Sequence, residues 1–128
     1  MSVESFDPGS LQQGLDGGVV AALCALAPAG DDCELDREDI TRFAYASKHN
    51  GWAEAAGGLD NGQIQGLIRL FTLGEERYPE WAGGAKSPVI ALVRELKKRD
   101  VDSTELIRWI KMHTSNKFLP HGSLMDRL

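Results

Sequence analysis

Asp32, Glu34 and Asp36 stand at alternate positions in the acidic run 31–39, which is how the oxygen donors of a calcium loop begin. The rest of that chemistry is missing. The turn glycine of such a loop falls on Arg37 and its closing bidentate glutamate on Phe43, so the chain neither bends around an ion nor closes on it. The run reads as a solvated approach to a helix.

Gly83-Gly84-Ala85-Lys86-Ser87 resembles the end of a phosphate-binding P-loop, but Ala85 replaces the glycine before the lysine, Glu80 replaces the first glycine, and no strand precedes it. What survives is an anion-binding candidate at Lys86 and Ser87. There a helix begins, and its free N–H groups favour a carboxylate or phosphate. The competing expectation is a flexible loop with an ordinary helix cap.

His49, His113 and His121 are scattered, without the spacing of a metal pair. Cys24 sits inside an apolar helix and Cys33 has no close partner, so neither thiol exchange nor a cysteine nucleophile is indicated. No serine stands in a glycine-flanked elbow. The expectation is a protein without catalytic residues, metal or cofactor.

The remaining chemistry is that of surfaces. Asp100 to Lys111 resembles the turn and second helix of a helix-turn-helix DNA reader, with Val101, Leu106 and Trp109 in the apolar places and Arg108 and Lys111 outward. It departs at Asp100, in place of a turn glycine, at Arg99, in an apolar place, and at Leu96, in the place of a small alanine. Glu105 would meet phosphate repulsion. The resemblance implies a phosphate-contacting face of Lys97, Lys98, Arg99, Arg108, Lys111 and Lys117; the plainer reading is an amphipathic hairpin with solvated charges.

Trp52 and Trp81 lie in glycine-rich connections, where an indole either plugs the domain from its edge or protrudes to a partner. The plug is the first expectation. In the alternative, Trp81 joins Phe118, Leu119, Leu124 and Met125 of the closing segment in an apolar contact patch.

These residues must be positioned by helices, since nowhere do apolar and polar residues alternate over a strand's length. Five helical stretches are predicted. The first has Leu11, Leu15, Val19, Ala22 and Leu26 on one face, a break near Asp16-Gly17-Gly18 and a stop at Pro28. The second starts at Asp36 as N-cap, carries Ile40, Phe43, Ala44 and Ser47, and ends at Asn50-Gly51 in a left-handed stop.

The third runs from about Asp60 to Arg77, with Asp60 and Gln63 as a capping box and Ile64, Leu67, Ile68, Phe71 and Tyr78 as its apolar face. Ser87-Pro88 opens the fourth, built on Val89, Leu92, Val93 and Leu96. The fifth starts near Asp102 or Ser103 and repeats the spacing with Leu106, Trp109, Ile110 and His113. The last two read as an αα-hairpin, and Pro120 and Gly122 turn a non-helical tail back onto the helices.

Composition agrees with one compact all-α domain over residues 1–128: 42% apolar, 26% charged and a net charge of −5 place the chain away from the disordered class. That charge is uneven. Residues 1–60 hold 3 basic and 11 acidic side chains, and residues 86–128 hold 9 basic and 5 acidic. This either marks two electrostatic faces or cancels within the fold.

No apolar run reaches the ~18 residues that span a bilayer, and two isolated cysteines suit a reducing cytoplasm. The functional expectation is a small acidic, cytoplasmic, non-enzymatic helical protein, a protein-binding accessory or regulatory module acting on a protein partner or its own copy. Its alternatives are a nucleic-acid-binding regulator using hairpin 87–113 and a helical pocket for a small ligand.

Overall fold

The computed structural model describes residues 15, 17–28, 30–116 and 119. Among them the chain is all-α, without a strand. Six α-helices follow one another among the described residues: α1 (Gly17–Ala25), α2 (Arg37–Phe43), α3 (Trp52–Ala56), α4 (Asn61–Arg77), α5 (Pro88–Lys98) and α6 (Thr104–His113). Single 3-10 turns lie at Ala46–Lys48, Pro79–Trp81 and Gly84–Lys86.

The longest helix, α4, is the one on which the others assemble: α1, α5, α6 and the turn Pro79–Trp81 pack against it, while α3 packs on α5. The start of α4 follows from local chemistry. Asp60 Oδ1 accepts from the Gln63 N–H at 2.7 Å and Gln63 Oε1 accepts from the Asp60 N–H at 2.9 Å, so two donors that the helix leaves unpaired are satisfied reciprocally. Ile64, Leu67, Ile68 and Phe71 form its fully buried stripe, each contributing about 1.5–3 kcal/mol by leaving water. Pro79 follows directly and ends the helix.

Against Phe71 sit the two indoles of the glycine-rich connections, with ring centroids at 5.2 Å for Trp52 and 5.6 Å for Trp81. Burial of an indole N–H requires an acceptor, and each has one: Trp52 Nε1 donates to the Ala46 carbonyl at 2.7 Å and Trp81 Nε1 to the Ile40 carbonyl at 2.9 Å. Trp81 reaches this depth because residue 74 is glycine; a Cβ there would lie 2.7 Å from its Cε3. The ring therefore lies on the bare backbone of α4.

Several local expectations are corrected. Asp36 precedes α2 but its carboxylate caps nothing, and the helix stops at Phe43 instead of reaching residue 48. The chain re-forms as the turn Ala46–Lys48, then as α3, which the periodicity of so short a segment does not reveal. Gly51, at φ −90°, is the N-cap of α3 and not a left-handed stop.

In α1 the deepest residues are Val20 and Leu23, while Val19 and Ala22, with Leu15 before the helix and Leu26 after it, are only partly covered. The helix is apolar on every side, so spacing alone does not choose its buried face. The expected break at residues 16–18 coincides with its start, and Leu11 lies outside the described residues.

Ser87 opens α5 as expected: its Oγ accepts from the Val89 N–H at 3.2 Å, and Pro88 takes the first helical position, where a missing N–H costs nothing. The helix ends in a complete Schellman closure, with Asp100 N–H on the Lys97 carbonyl and Val101 N–H on the Leu96 carbonyl, both at 3.0 Å. Asp100 adopts the left-handed φ of 60° that glycine usually supplies there. The closure joins α5 to α6, yet each packs more closely on α4 than on the other; they are successive legs against α4 more than a paired hairpin.

Candidate functional site

Of the apolar patch residues, Trp81 is fully buried and Leu119 is 1% exposed. Trp81 is therefore not a contact residue, because its ring and its N–H are both consumed by the core. Phe118, Leu124 and Met125 lie outside the described residues. Among those described, the large apolar side chain that stands in solvent is Met112, 75% exposed. Trp109 belongs to the half-buried surface and not to the core: it stacks on His113 at 4.4 Å and donates to Asp31 at 2.9 Å.

The five described cations of the helix-turn-helix reading do not form one face of equals. Arg99 is an internal brace, donating through Nε to Glu95 at 2.8 Å, through one terminal nitrogen to Asn61 at 2.9 Å and through the other to the Ala56 carbonyl at 3.0 Å. It ties the end of α5 to the end of α3 and the start of α4, and is spent there. Arg108 lies 3.8 Å from Glu105 on α6, and Lys98 lies 4.0 Å from Glu95. Lys97 and Lys111 are exposed, and Lys117 lies outside the described residues. Asp102 and Glu105 are exposed at the start of α6, where a groove-reading helix would meet phosphates.

The anion candidates Lys86 and Ser87 line a shallow cleft of about 210 Å3 between residues 49–53, at the start of α3, and the first turns of α5. His49, Asn50, Lys86, Ser87 and Arg94 are its polar lining, Trp52 and Ile90 are among its apolar lining, and no acidic side chain lines it. Neither Lys86 nor Arg94 has an ion-pair partner among the described residues. The Gly51 N–H donates to His49 Nδ1 at 2.9 Å, which leaves Nε2 to carry the ring proton.

The helix-end amides, in contrast, are occupied. Val89 N–H is held by Ser87 Oγ, Ile90 N–H by the Ser87 carbonyl, and Pro88 has none. Ser87 itself is 3% exposed and faces inward. The cleft is therefore a side-chain site and not a helix-terminus site.

Beneath it lies Glu75, 8% exposed, whose Oε2 accepts from Ser87 Oγ at 2.5 Å while Oε1 accepts from the Gly83 N–H at 3.5 Å. Burial pushes its carboxyl up from 4.5 to about 7, against the opposing pull of the hydrogen bonds from Ser87, Gly83 and Asn116 and of the Lys48 charge. An acid touching a hydroxyl has the form of a nucleophile–base pair, but this hydroxyl is covered and already serves as a helix cap. The group stitches three segments: α4, the loop 83–87 and the stretch after α6, where Asn116 donates to the Gly84 carbonyl at 3.0 Å and Ser115 binds Glu76 at 2.8 Å.

Both thiols are poor nucleophiles. Burial raises Cys24, assisted by Asp60, and burial raises Cys33 against the opposing Arg77. No group of three or more metal-ligating side chains gathers among the described residues, and none of their helices is long and apolar enough to cross a membrane. A second cavity, about 390 Å3 and lined by Val20, Ala21, Cys24, Ala55 and Leu59 among others, lies between α1, α3 and α4.

No family model, no curated protein and no solved structure matches this chain.

Sequence reasoning found Lys86 and missed His49, Arg94 and Glu75. Arg94 was within reach, since Ser87, Ala91 and Arg94 share one face at helical spacing. So was Glu75, four residues beyond Phe71 on the buried stripe of α4. His49 carries no such signal, because the loop that brings it to α5 is ordered by Trp52.

Proposed function

We propose that the protein is a non-enzymatic binding module, accessory or regulatory, that docks an acidic protein partner on the exposed face of α5. The observation that carries this reading is the cleft-side pair Lys86 and Arg94, exposed, without an ion-pair partner among the described residues and beside a cleft that no acidic side chain lines. Lys97 and Lys98 continue the basic character to the end of the same helix. The acids of residues 31–34 are engaged elsewhere, Asp32 and Glu34 with Arg77 and Asp31 with Trp109, so they do not neutralise this face. Such a surface accelerates and orients the approach of a negatively charged partner.

A protein is favoured over nucleic acid by the segment 87–113 itself, where Arg99 is withdrawn into the fold and Asp102 and Glu105 front α6. The test is fluorescence anisotropy at low salt with a labelled polyglutamate peptide, and in parallel with mixed-sequence DNA and RNA. The peptide is expected to bind, and Arg94→Glu with Lys98→Glu to abolish binding while Glu105→Ala preserves it. Tighter binding of nucleic acid, sensitive to the same reversal, would transfer the face to a nucleic-acid regulator; binding of neither would refute the reading.

A further inference from the structure

Four polar side chains of different kinds converge on the cleft at the start of α5: the Arg94 guanidinium, the Lys86 ammonium, the His49 ring and the Asn50 amide. The combination is specific. A guanidinium offers a planar fork to two oxygens, an ammonium offers a mobile point charge, and an imidazole N–H with an amide adds neutral donors. The Gly51 N–H engages Nδ1 of His49 as acceptor, which leaves Nε2 as the donor of this lining residue. The ring is held in turn by the loop that Trp52 anchors in the core.

The volume of about 210 Å3 lies below the roughly 300–1,000 Å3 of pockets that enclose drug-sized ligands. It has room for a small polyatomic anion and the first atoms attached to it, and not for a nucleotide. Two cations without an ion-pair partner among the described residues carry more positive charge than one carboxylate neutralises, and a phosphate monoester brings about −1.5 to −2 charges and three acceptor oxygens at neutral pH. Donors set on both walls of a cleft match three oxygens better than two.

We infer that this cleft receives a phosphate group, free or carried on a partner's side chain. The site lies at one end of the α5 contact face and rests on that reading for the partner-borne form, so the test separates the two.

Backbone amide shifts of the full chain are followed by NMR during titration with three probes in matched ionic strength: inorganic phosphate, acetate, and a short alanine-glycine peptide with one phosphoserine beside its unphosphorylated twin. Phosphate is expected to shift residues 49–53 and 86–91 in a saturable way, and acetate to bind at least tenfold more weakly. Lys86→Ala with Arg94→Ala, both on exposed positions, is expected to weaken phosphate at least tenfold with an unchanged circular-dichroism spectrum, and Arg94→Lys to keep part of the affinity. Lys97→Glu with Lys98→Glu, which damages the wider α5 face, is expected to leave inorganic phosphate within threefold.

Phosphopeptide binding at least tenfold tighter than inorganic phosphate, absent in the twin, identifies a phosphorylated side chain as the source; equal affinities identify the free ion. Either supports the site. Absence of saturable shifts, equal binding of acetate, or undiminished binding by the Lys86/Arg94 variant would overturn it. Phosphate binding together with failure of the polyglutamate assay would leave the cleft standing and remove the broader α5 reading.

Discussion

In the variant Glu75→Gln, a carboxyl that burial pushes up from 4.5 to about 7 is replaced by a group of nearly the same shape that stays uncharged. The folded wild type keeps a proton on Glu75 in the interval between those values, where the unfolded chain has released it. Stability from this group is therefore complete below about 4.5 and is lost as pH rises through about 7. At about 1.36 kcal/mol per pH unit, the loss across the interval is about 3 kcal/mol. Glutamine presents one acceptor oxygen where Ser87 Oγ and the Gly83 N–H now use two, a fixed cost of about 1 kcal/mol at every pH.

The variant is thus expected to be slightly less stable than wild type at pH 4.5 and more stable by about 2 kcal/mol at pH 8. Urea unfolding at intervals from pH 4.5 to 8, followed by the fluorescence of the buried Trp52 and Trp81, reads this directly. Glu80 and Asp102 do not mimic the effect. A hydrogen bond from Arg37 and one from the Thr104 N–H hold their carboxyls below the usual range, so their contribution is lost as pH falls, at the acid end of the series. Stability curves that stay parallel for the two proteins from pH 5 to 8 would refute the reasoning.

Gly74→Ala improves helix propensity by about 1 kcal/mol in isolation, yet the new methyl meets the Trp81 ring at 2.7 Å; a net loss of about 1–3 kcal/mol in urea unfolding is expected, with a shift in tryptophan emission. Asp100→Gly relieves the left-handed φ of 60° and is expected to gain about 0.5–1 kcal/mol, visible as a raised Tm. Arg99→Ala is expected to cost about 2 kcal/mol by cutting the brace among α3, α4 and α5, and to leave polyglutamate binding unchanged once compared at equal folded fraction.

The parts of this fold that were legible in advance are those governed by neighbours along the chain. Asp60 and Gln63 fix the start of α4, Pro79 its end, and Ser87-Pro88 the start of α5, because caps and proline act through atoms three or four residues away, which the sequence places next to one another. Periodicity likewise exposed the stripe Ile64, Leu67, Ile68 and Phe71, whose surroundings are apolar whatever the topology.

The candidate site was legible only at Lys86. Tertiary packing alone decided the rest, since burial and proximity between distant segments are collective. Trp81 is core because Gly74 leaves room and Ile40 offers a carbonyl, a meeting of three segments that no window of the chain contains. Arg99 became a brace when three helix ends converged on it. Glu75 became a titrating core residue when the loop 83–87 closed over it. His49 and Arg94, far apart in sequence, line one cleft because Trp52, packed on Phe71, holds the segment of His49 in place while α5, which carries Arg94, packs on α3 and α4.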